Sequence, residues 1–145
     1  MEPVTILAPA AVLVLWSLVM LMWMTATRFP AFTRAGIKLS EAQPGARYVD
    51  VESMLPASVN WKSHNYTHLM EQPTIFYAVV VILALVGEGS GVNAAFAWAY
   101  VAIRVVHSIW QATVNLIPVR VTLFTLSTLC LWVLAINAVR ATLFG

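Results

Sequence analysis

The sequence predicts an all-α integral membrane protein, a bundle of four transmembrane helices. Two facts of composition lead to this class: 61% of the residues are hydrophobic and 10% are charged, with a mean hydropathy of +0.82. Ordinary soluble domains are roughly 45–50% apolar and about 25% charged. A third observation is that four apolar stretches are long enough to cross a hydrocarbon core of ~30 Å, which takes ~20 helical residues.

The four predicted spans use up most of the 145 residues and leave one long loop. We place the spans at about residues 5–27, 60–86, 92–115 and 119–143, with the loop at about 28–59. The whole chain, residues 1–145, is then one transmembrane domain.

The first span does not have the features of a signal peptide. The residues before it include Glu2 but no Lys or Arg. Its apolar stretch also exceeds the ~7–15 residues of a signal-peptide core. We therefore expect it to be retained as a membrane helix.

The distribution of basic residues predicts the orientation of the bundle. The turn at 87–91 has no Lys or Arg, whereas the segment between the apolar parts of spans one and two has five: Arg28, Arg34, Lys38, Arg47 and Lys62. By the positive-inside rule, the long loop is cytoplasmic and both termini lie outside. Arg140, close to the outer end, is an exception.

The second span is predicted to begin with a polar portion and to contain a kink. Pro56 followed by Ser58 is typical of a helix start, with Ser58 as the candidate N-cap. Pro73 falls inside the predicted helix, where its missing N–H frees the carbonyl of Leu69 and kinks the helix. A kink beside charged residues could open a cleft.

The third span carries a polar stripe within the expected membrane interior. Its members stand at i, i+3, i+4, i+7 and i+11 and share one helix face: Arg104, His107, Ser108, Gln111 and Asn115. An arginine at the centre of a membrane helix costs about 2.5–3.5 kcal/mol on insertion scales. Such a residue faces protein or water rather than lipid, so the stripe marks a candidate functional site.

A second polar face lies at the start of span two. Asn65, His68 and Gln72 stand at i, i+3 and i+7, beside His64 and Glu71. Spans two and three form an antiparallel hairpin about residue 89, so the two polar faces fall at a similar depth near the long loop. We infer one pocket there, containing the cations Arg28, Arg104 and Arg120, the buried carboxylate of Glu71, and the hydrogen-bonding groups of Asn65, His68, His107, Gln111 and Asn115.

Purely structural roles compete with this interpretation at several of these positions. Glu71 and Arg104 can form an ion pair that only neutralises two buried charges. Arg28 can extend its guanidinium to the membrane surface as an interfacial residue. His107 alone is more often a packed, hydrogen-bonded histidine than a ligand or a catalyst.

Composition also argues against other kinds of site. His64 and His68 have the i, i+4 spacing of metal ligands but no clear third ligand, so we predict no metal site. Cys130, the single cysteine, cannot form an intramolecular disulfide. The net charge of +2, without a basic cluster, argues against nucleic-acid binding.

The predicted pocket would suit two kinds of partner. Several guanidinium groups with a carboxylate and amides suit a small anionic, peptide-like or phosphate-bearing ligand. The neighbouring apolar helix faces suit a lipophilic small molecule from the bilayer.

These motifs resemble the MAPEG family, membrane-associated proteins of eicosanoid and glutathione metabolism. The resemblance covers nearly the whole chain. It rests on residues 65–77, Asn-Tyr-Thr-His-Leu-Met-Glu-Gln-Pro-Thr-Ile-Phe-Tyr, and on 104–108, Arg-Val-Val-His-Ser, with Gln111, Asn115 and Arg120. It implies a four-helix bundle assembled as a homotrimer, with the co-substrate glutathione bound between subunits on the cytoplasmic side. It also fits a bacterial branch of the family, and hence an inner membrane.

The resemblance implies roles for individual residues. Glu71 would hold the amine of glutathione, and Arg120 would stabilise its thiolate. Arg28 corresponds to a basic residue that closes span one. Arg104 and His107 match a spacing of the prostaglandin-E-synthase branch.

Three positions depart from the family pattern. His64, His68 and Gln111 stand where the better-known enzymes have Arg, Asn and Tyr. We expect a glutathione-dependent transferase or peroxidase that acts on lipophilic electrophiles, with Arg120 as the catalytic residue. The departures favour the alternative, a non-enzymatic lipid-binding or scaffolding protein of the same fold. A transporter with Glu71 as proton carrier is disfavoured, because transporter sites usually lie near the membrane midplane.

Overall fold

The computed structural model describes residues 5–145, and every regular element within them is helical. Residues 1–4 lie outside the described part. They include Glu2, on which the prediction that the first span is not a signal peptide partly rests. The α-helices are α1 (Leu7–Arg34), α2 (Ala57–Leu69), α3 (Gln72–Leu85), α4 (Gly91–Thr113) and α5 (Ile117–Leu143). Three short 3-10 turns, Leu39–Glu41, Tyr48–Asp50 and Glu52–Met54, lie in the loop between α1 and α2.

Within residues 5–145, four helical segments are long and apolar enough to cross a membrane: α1, α2 together with α3, α4, and α5. The chain is therefore an integral membrane protein, and the predicted all-α bundle of four spans is confirmed. The helix ends differ from the expected ones. α1 continues to Arg34, beyond the predicted end at 27, and α4 ends at Thr113 rather than at 115.

The core of the bundle lies among α1, α3, α4 and α5. Phe76 of α3 and Tyr100 of α4 stack with their ring centroids 4.3 Å apart. Leu13, Leu83 and Leu134 pack around them and are fully buried. In a bilayer the hydrophobic effect does not bring helices together, because lipid tails are as apolar as the side chains. Close packing of this kind drives helix association instead. The core therefore fixes the relative depth of the helices, and with it the position of their polar groups.

The two ends of the bundle carry different connections. We call the end with the α1–α2 loop the loop end, and the end with the α3–α4 turn the turn end. At the turn end, Gly87 and Gly91 have φ values of 82° and 57°, which glycine adopts without steric cost. The N–H of Ile6 donates to the carbonyl of Gly89 at 2.9 Å, so the start of α1 is held against this turn.

The second span is interrupted rather than kinked. α2 ends at Leu69 and α3 begins at Gln72, with Pro73 in its first turn. Glu71, between them, has φ −87° and ψ −93°, outside the helical region. Pro73 has no N–H to offer the carbonyl of Leu69, as expected. The carbonyl that accepts a hydrogen bond from another helix, however, is that of His68 rather than that of Leu69. Its donor is the Arg104 Nη2 in α4, at 3.2 Å.

The start of α2 also differs from the prediction. Pro56, not Ser58, occupies the N-cap position, and no side chain caps the helix. The prediction of Ser58 as the N-cap is therefore wrong. The fixed φ of proline, here −60°, directs the chain into the helix without a side-chain cap.

A buried hydrogen bond joins α2 to α4. The Asn65 Nδ2 donates to Ser108 Oγ at 2.8 Å, and both residues are almost fully buried. The Asn65 Oδ1 has no hydrogen-bond partner in the described part of the chain. The Asn65 side chain therefore depends on Ser108 to satisfy its amide.

We predict that Ser108→Ala lowers the free energy of unfolding by about 1 kcal/mol, the size of interhelical hydrogen bonds in membrane proteins. The matched control is Ser58→Ala, since Ser58 is exposed in the first turn of α2. Thermal unfolding in detergent measures both variants. Equal stability of the two variants would show that the α2–α4 hydrogen bond contributes nothing.

Candidate functional site

A cleft of about 320 Å³ opens at the loop end between α2, α4 and α5. One side is polar and the other apolar. The lining residues are His68, His107, Ile117, Arg120, Val121 and Phe124. Four of them come from consecutive turns of α5, where Ile117, Arg120 or Val121, and Phe124 recur at helical spacing on one face.

Two histidines form the inner wall of this cleft. The rings of His68 and His107 lie 5.2 Å apart between centroids and are tilted by 47°. The ring of Phe124 lies 5.4 Å from that of His68. His107 is 2% exposed, so its ring is fixed by packing. This wall is therefore aromatic, with one of its two histidines fully packed and the other partly exposed.

Arg104 lies behind the histidine wall and is fully buried. Its Nη2 donates to the carbonyl of His68 at 3.2 Å, and its Nη1 lies 3.4 Å from the His68 Nε2. Its guanidinium carbon is 5.9 Å from the centroid of the Phe124 ring. The ion pair with Glu71 that was considered as a structural alternative does not form, because no carboxylate within residues 5–145 lies within salt-bridge distance of Arg104.

Glu71 lies at the surface of the chain, so the predicted buried carboxylate is wrong. Its side chain is 63% exposed, and its Oε2 lies 2.9 Å from the His68 Nδ1. The reason is the helix break, which turns Glu71 away from α4. Since Arg104 can only donate, the His68 Nε2 accepts from it, and the His68 Nδ1 then carries the proton donated to Glu71.

Arg120 reaches the cleft from the first turn of α5. Its Nη1 donates to Asn115 Oδ1 at 2.8 Å, while its Nε is buried without a partner among the described residues. Asn115 has φ 57° and lies in the turn after α4, not on the predicted helical stripe. That placement is a correction: α4 ends at Thr113, and asparagine tolerates the left-handed conformation of the turn.

Two predicted pocket residues instead hold the long loop. The guanidinium of Arg28 stacks 3.9 Å from the centroid of the Tyr48 ring, and its Nη2 donates to Ser63 Oγ. The His64 Nε2 pairs with Glu52 of the loop. Neither Arg28 nor His64 lines the cleft, so the expected single pocket is divided.

The Arg28 contacts belong to a small cluster at the base of the loop. The Tyr48 hydroxyl donates to Asn60 Oδ1 at 2.6 Å, and the Asn60 Nδ2 donates to the carbonyl of Glu52 at 2.9 Å. Burial raises the pKa of Tyr48 above its ordinary value of about 10, although the nearby Arg28 guanidinium acts in the opposite direction.

Asn65 and Gln111 lie inside the bundle rather than in the cleft. Gln111 is 3% exposed, and its Oε1 has no hydrogen-bond partner among residues 5–145. Asn65 makes the hydrogen bond to Ser108 described above. The structure thus brings together His68, Glu71, Arg104, His107, Asn115 and Arg120 at or around the cleft, and places Arg28, His64, Asn65 and Gln111 outside it.

The apolar wall of the cleft, formed by Ile117, Val121 and Phe124, was not predicted from the sequence. Ile117 and Phe124 stand three residues before and four residues after Arg120, and therefore share its face of α5. That helical spacing was available in the sequence. Tyr48, by contrast, lies in a loop where no periodicity points to Arg28.

The model of the MAPEG family matches residues 6–140 of the 145-residue chain, a range that includes every residue of the cleft. The chain belongs to the MAPEG family. No curated protein and no solved structure matches it. The predicted resemblance is thereby confirmed, and this MAPEG protein is a membrane protein of a family of glutathione and eicosanoid metabolism.

The raised pKa of Tyr48 predicts a pH-dependent contribution to stability. Because its pKa is higher in the folded than in the unfolded chain, the contribution is fully present below pH ~10 and is lost as pH rises through the folded pKa. The difference between ultraviolet titrations of the native protein and of Tyr48→Phe should have its midpoint above pH ~10.

The control for this titration is the same difference measured in strong denaturant, where the midpoint should return to about 10. A folded midpoint at or below that value would contradict the partly buried position of the Tyr48 hydroxyl.

Proposed function

We propose that this MAPEG protein is a glutathione-dependent transferase or peroxidase acting on lipophilic electrophiles. One observation carries the proposal: Arg120 lines a cleft backed by the buried Arg104, and neither guanidinium has a carboxylate within salt-bridge distance in residues 5–145. Buried cations need compensating charge, and an anionic ligand provides it. Glutathione carries carboxylates and, when activated, a thiolate.

The size and composition of the cleft support a peptide-like co-substrate. A volume of about 320 Å³ lies at the lower end of the ~300–1,000 Å³ range of ligand pockets. Glu71 is exposed beside it, so its carboxylate is accessible to the amine of glutathione. The apolar wall of Ile117, Val121 and Phe124 suits a lipophilic second substrate that arrives from the bilayer.

The proposal includes the assembly and the location of the protein. In a homotrimer, a neighbouring subunit would cover the exposed side of Glu71 and complete the cleft. The excess of Lys and Arg in the long loop favours a cytoplasmic loop end in a bacterial inner membrane, which is the side on which glutathione is available.

Arg120 is the proposed catalytic residue, acting by thiolate activation. A free thiol has a pKa of about 8.5, and a nearby guanidinium favours its charged form. With an electrophilic carbon, the sulfur forms a C–S bond, and the electron pair and a proton pass to the displaced or adjacent atom of the substrate. With a hydroperoxide, two glutathione molecules are oxidised to the disulfide while the hydroperoxide is reduced to an alcohol and water.

The second candidate is a non-enzymatic lipid-binding or scaffolding protein. The observation that favours it is the position of His68. Its ring Nε2 and its backbone carbonyl accept hydrogen bonds from Arg104, whose N–H groups would otherwise be available to a ligand. The apolar wall of the cleft would then hold an acyl chain, and Arg120 would hold its carboxylate.

We predict that Arg120→Gln lowers turnover by about 10²-fold, as removal of one charge-stabilising donor does in other enzymes, while glutathione affinity falls much less. Its matched control is Arg34→Gln, since Arg34 is an exposed arginine at the same end of the bundle. The measurements are calorimetry with glutathione, thiolate absorbance as a function of pH, and turnover with a lipophilic electrophile.

The thiolate absorbance of the Arg120→Gln complex should appear at higher pH than that of the native complex. Equal losses of affinity and turnover, or no loss of either, would contradict the catalytic role of Arg120. Glutathione binding without turnover in the native protein would favour the scaffold, and no binding would remove the glutathione proposal.

A further inference from the structure

A second and larger cavity lies at the turn end, away from the proposed active site. Its volume is about 580 Å³, and it lies between the α3–α4 turn, the start of α4 and the end of α5. Glu88, Asn93, Asn137, Arg140 and Phe144 are among its lining residues. The proposed glutathione chemistry uses none of them.

The charged side chains that line the cavity are one of each sign, Glu88 and Arg140. Glu88 and Arg140 are both exposed, and neither forms a salt bridge with any described residue of the chain. A purely anionic ligand that binds Arg140 would be repelled by Glu88. A purely cationic ligand that binds Glu88 would be repelled by Arg140. A zwitterion places an opposite charge on each side chain.

The floor of the cavity is a fixed pair of amides. Asn93 is 6% exposed; its Nδ2 donates to the carbonyl of Glu88 at 3.0 Å. Its Oδ1 accepts from Asn137 Nδ2 at 2.8 Å, which ties α4 to α5. Ser90 makes no side-chain cap on α4, so the first N–H groups of that helix remain available to an anion. The cavity is therefore held open by hydrogen bonds that do not involve its two charged side chains.

The rim of the cavity is strongly apolar. Val92 is 67% exposed and Phe144 is 83% exposed, and both line it. Leu143, in the last turn of α5, is 70% exposed. These side chains lie at the ends of membrane-spanning helices, the depth of lipid headgroups and upper acyl chains. A ligand with acyl chains fits this rim better than a water-soluble one.

We propose that the turn-end cavity binds the headgroup of a phospholipid that carries both a phosphate and a primary ammonium. Arg140 and the first N–H groups of α4 hold the phosphate, and Glu88 holds the ammonium. The acyl chains run past Val92 and Phe144. The group recognised is a phosphoethanolamine ester, which a lipid and a water-soluble compound can both carry. We assign it to the lipid.

Native mass spectrometry of the full chain in detergent tests this proposal. The probes are phosphatidylethanolamine, phosphatidylglycerol with the same acyl chains, and water-soluble glycerophosphoethanolamine. The native protein should retain phosphatidylethanolamine in preference to the other two. Arg140→Gln should weaken its binding roughly tenfold, the effect of losing a charged hydrogen bond. Glu88→Gln should remove the preference over phosphatidylglycerol.

The matched control is Arg34→Gln, since Arg34 is likewise an exposed arginine in the last turn of a membrane helix, at the opposite end. This variant should bind like the native protein. Undiminished binding by Arg140→Gln, or an unchanged preference in Glu88→Gln, would overturn the site. Binding of glycerophosphoethanolamine as strong as that of the lipid would overturn the assignment to a lipid.

Discussion

A fully buried guanidinium in a membrane bundle must be satisfied by protein groups, and Arg104 imposes that requirement on the loop end. The break between α2 and α3 meets part of it by presenting the carbonyl of His68 to the Arg104 Nη2, while the Arg104 Nε has no partner among the described residues. The ring of His68 is then held on two sides, by Arg104 and by Glu71. His68 and His107 form the cleft wall in consequence, so one buried cation determines the local backbone and the shape of the site.

The two ends of the bundle differ in how their charges are arranged. At the loop end the Arg120 guanidinium lies beside apolar residues of the same helix, and Glu71 is paired with His68 at the surface. This arrangement favours a small anion beside a lipophilic molecule. At the turn end, Glu88 and Arg140 line one cavity with opposite charges, which favours a zwitterion at the membrane surface. One small bundle can thus present different chemistry to the two leaflets.

Features that depend on helical periodicity or bilayer thickness were predictable from the sequence. The four spans follow from hydrophobic length, and the buried face of α4 through Gln111 follows from its spacing. The positions of Asn115, Glu71 and Arg28 depend instead on where helices end or break. Asn115 lies beyond the end of α4, and Glu71 lies in a break whose backbone turns it outward. Arg28 stacks on Tyr48, which lies in an aperiodic loop. Spacing rules assume a continuous helix, so they misplaced these three side chains.

A double-mutant cycle between Pro73→Ala and Arg104→Met tests the link between the helix break and the buried cation. Alanine restores an N–H and lets the helix continue, so the N–H of Gln72 competes with Arg104 for the carbonyl of His68. Pro30, inside α1, supplies the control as Pro30→Ala. Unfolding free energies should show a coupling of about 1–2 kcal/mol for Pro73 and none for Pro30. Additive effects of Pro73→Ala and Arg104→Met, within about 0.5 kcal/mol, would contradict the account.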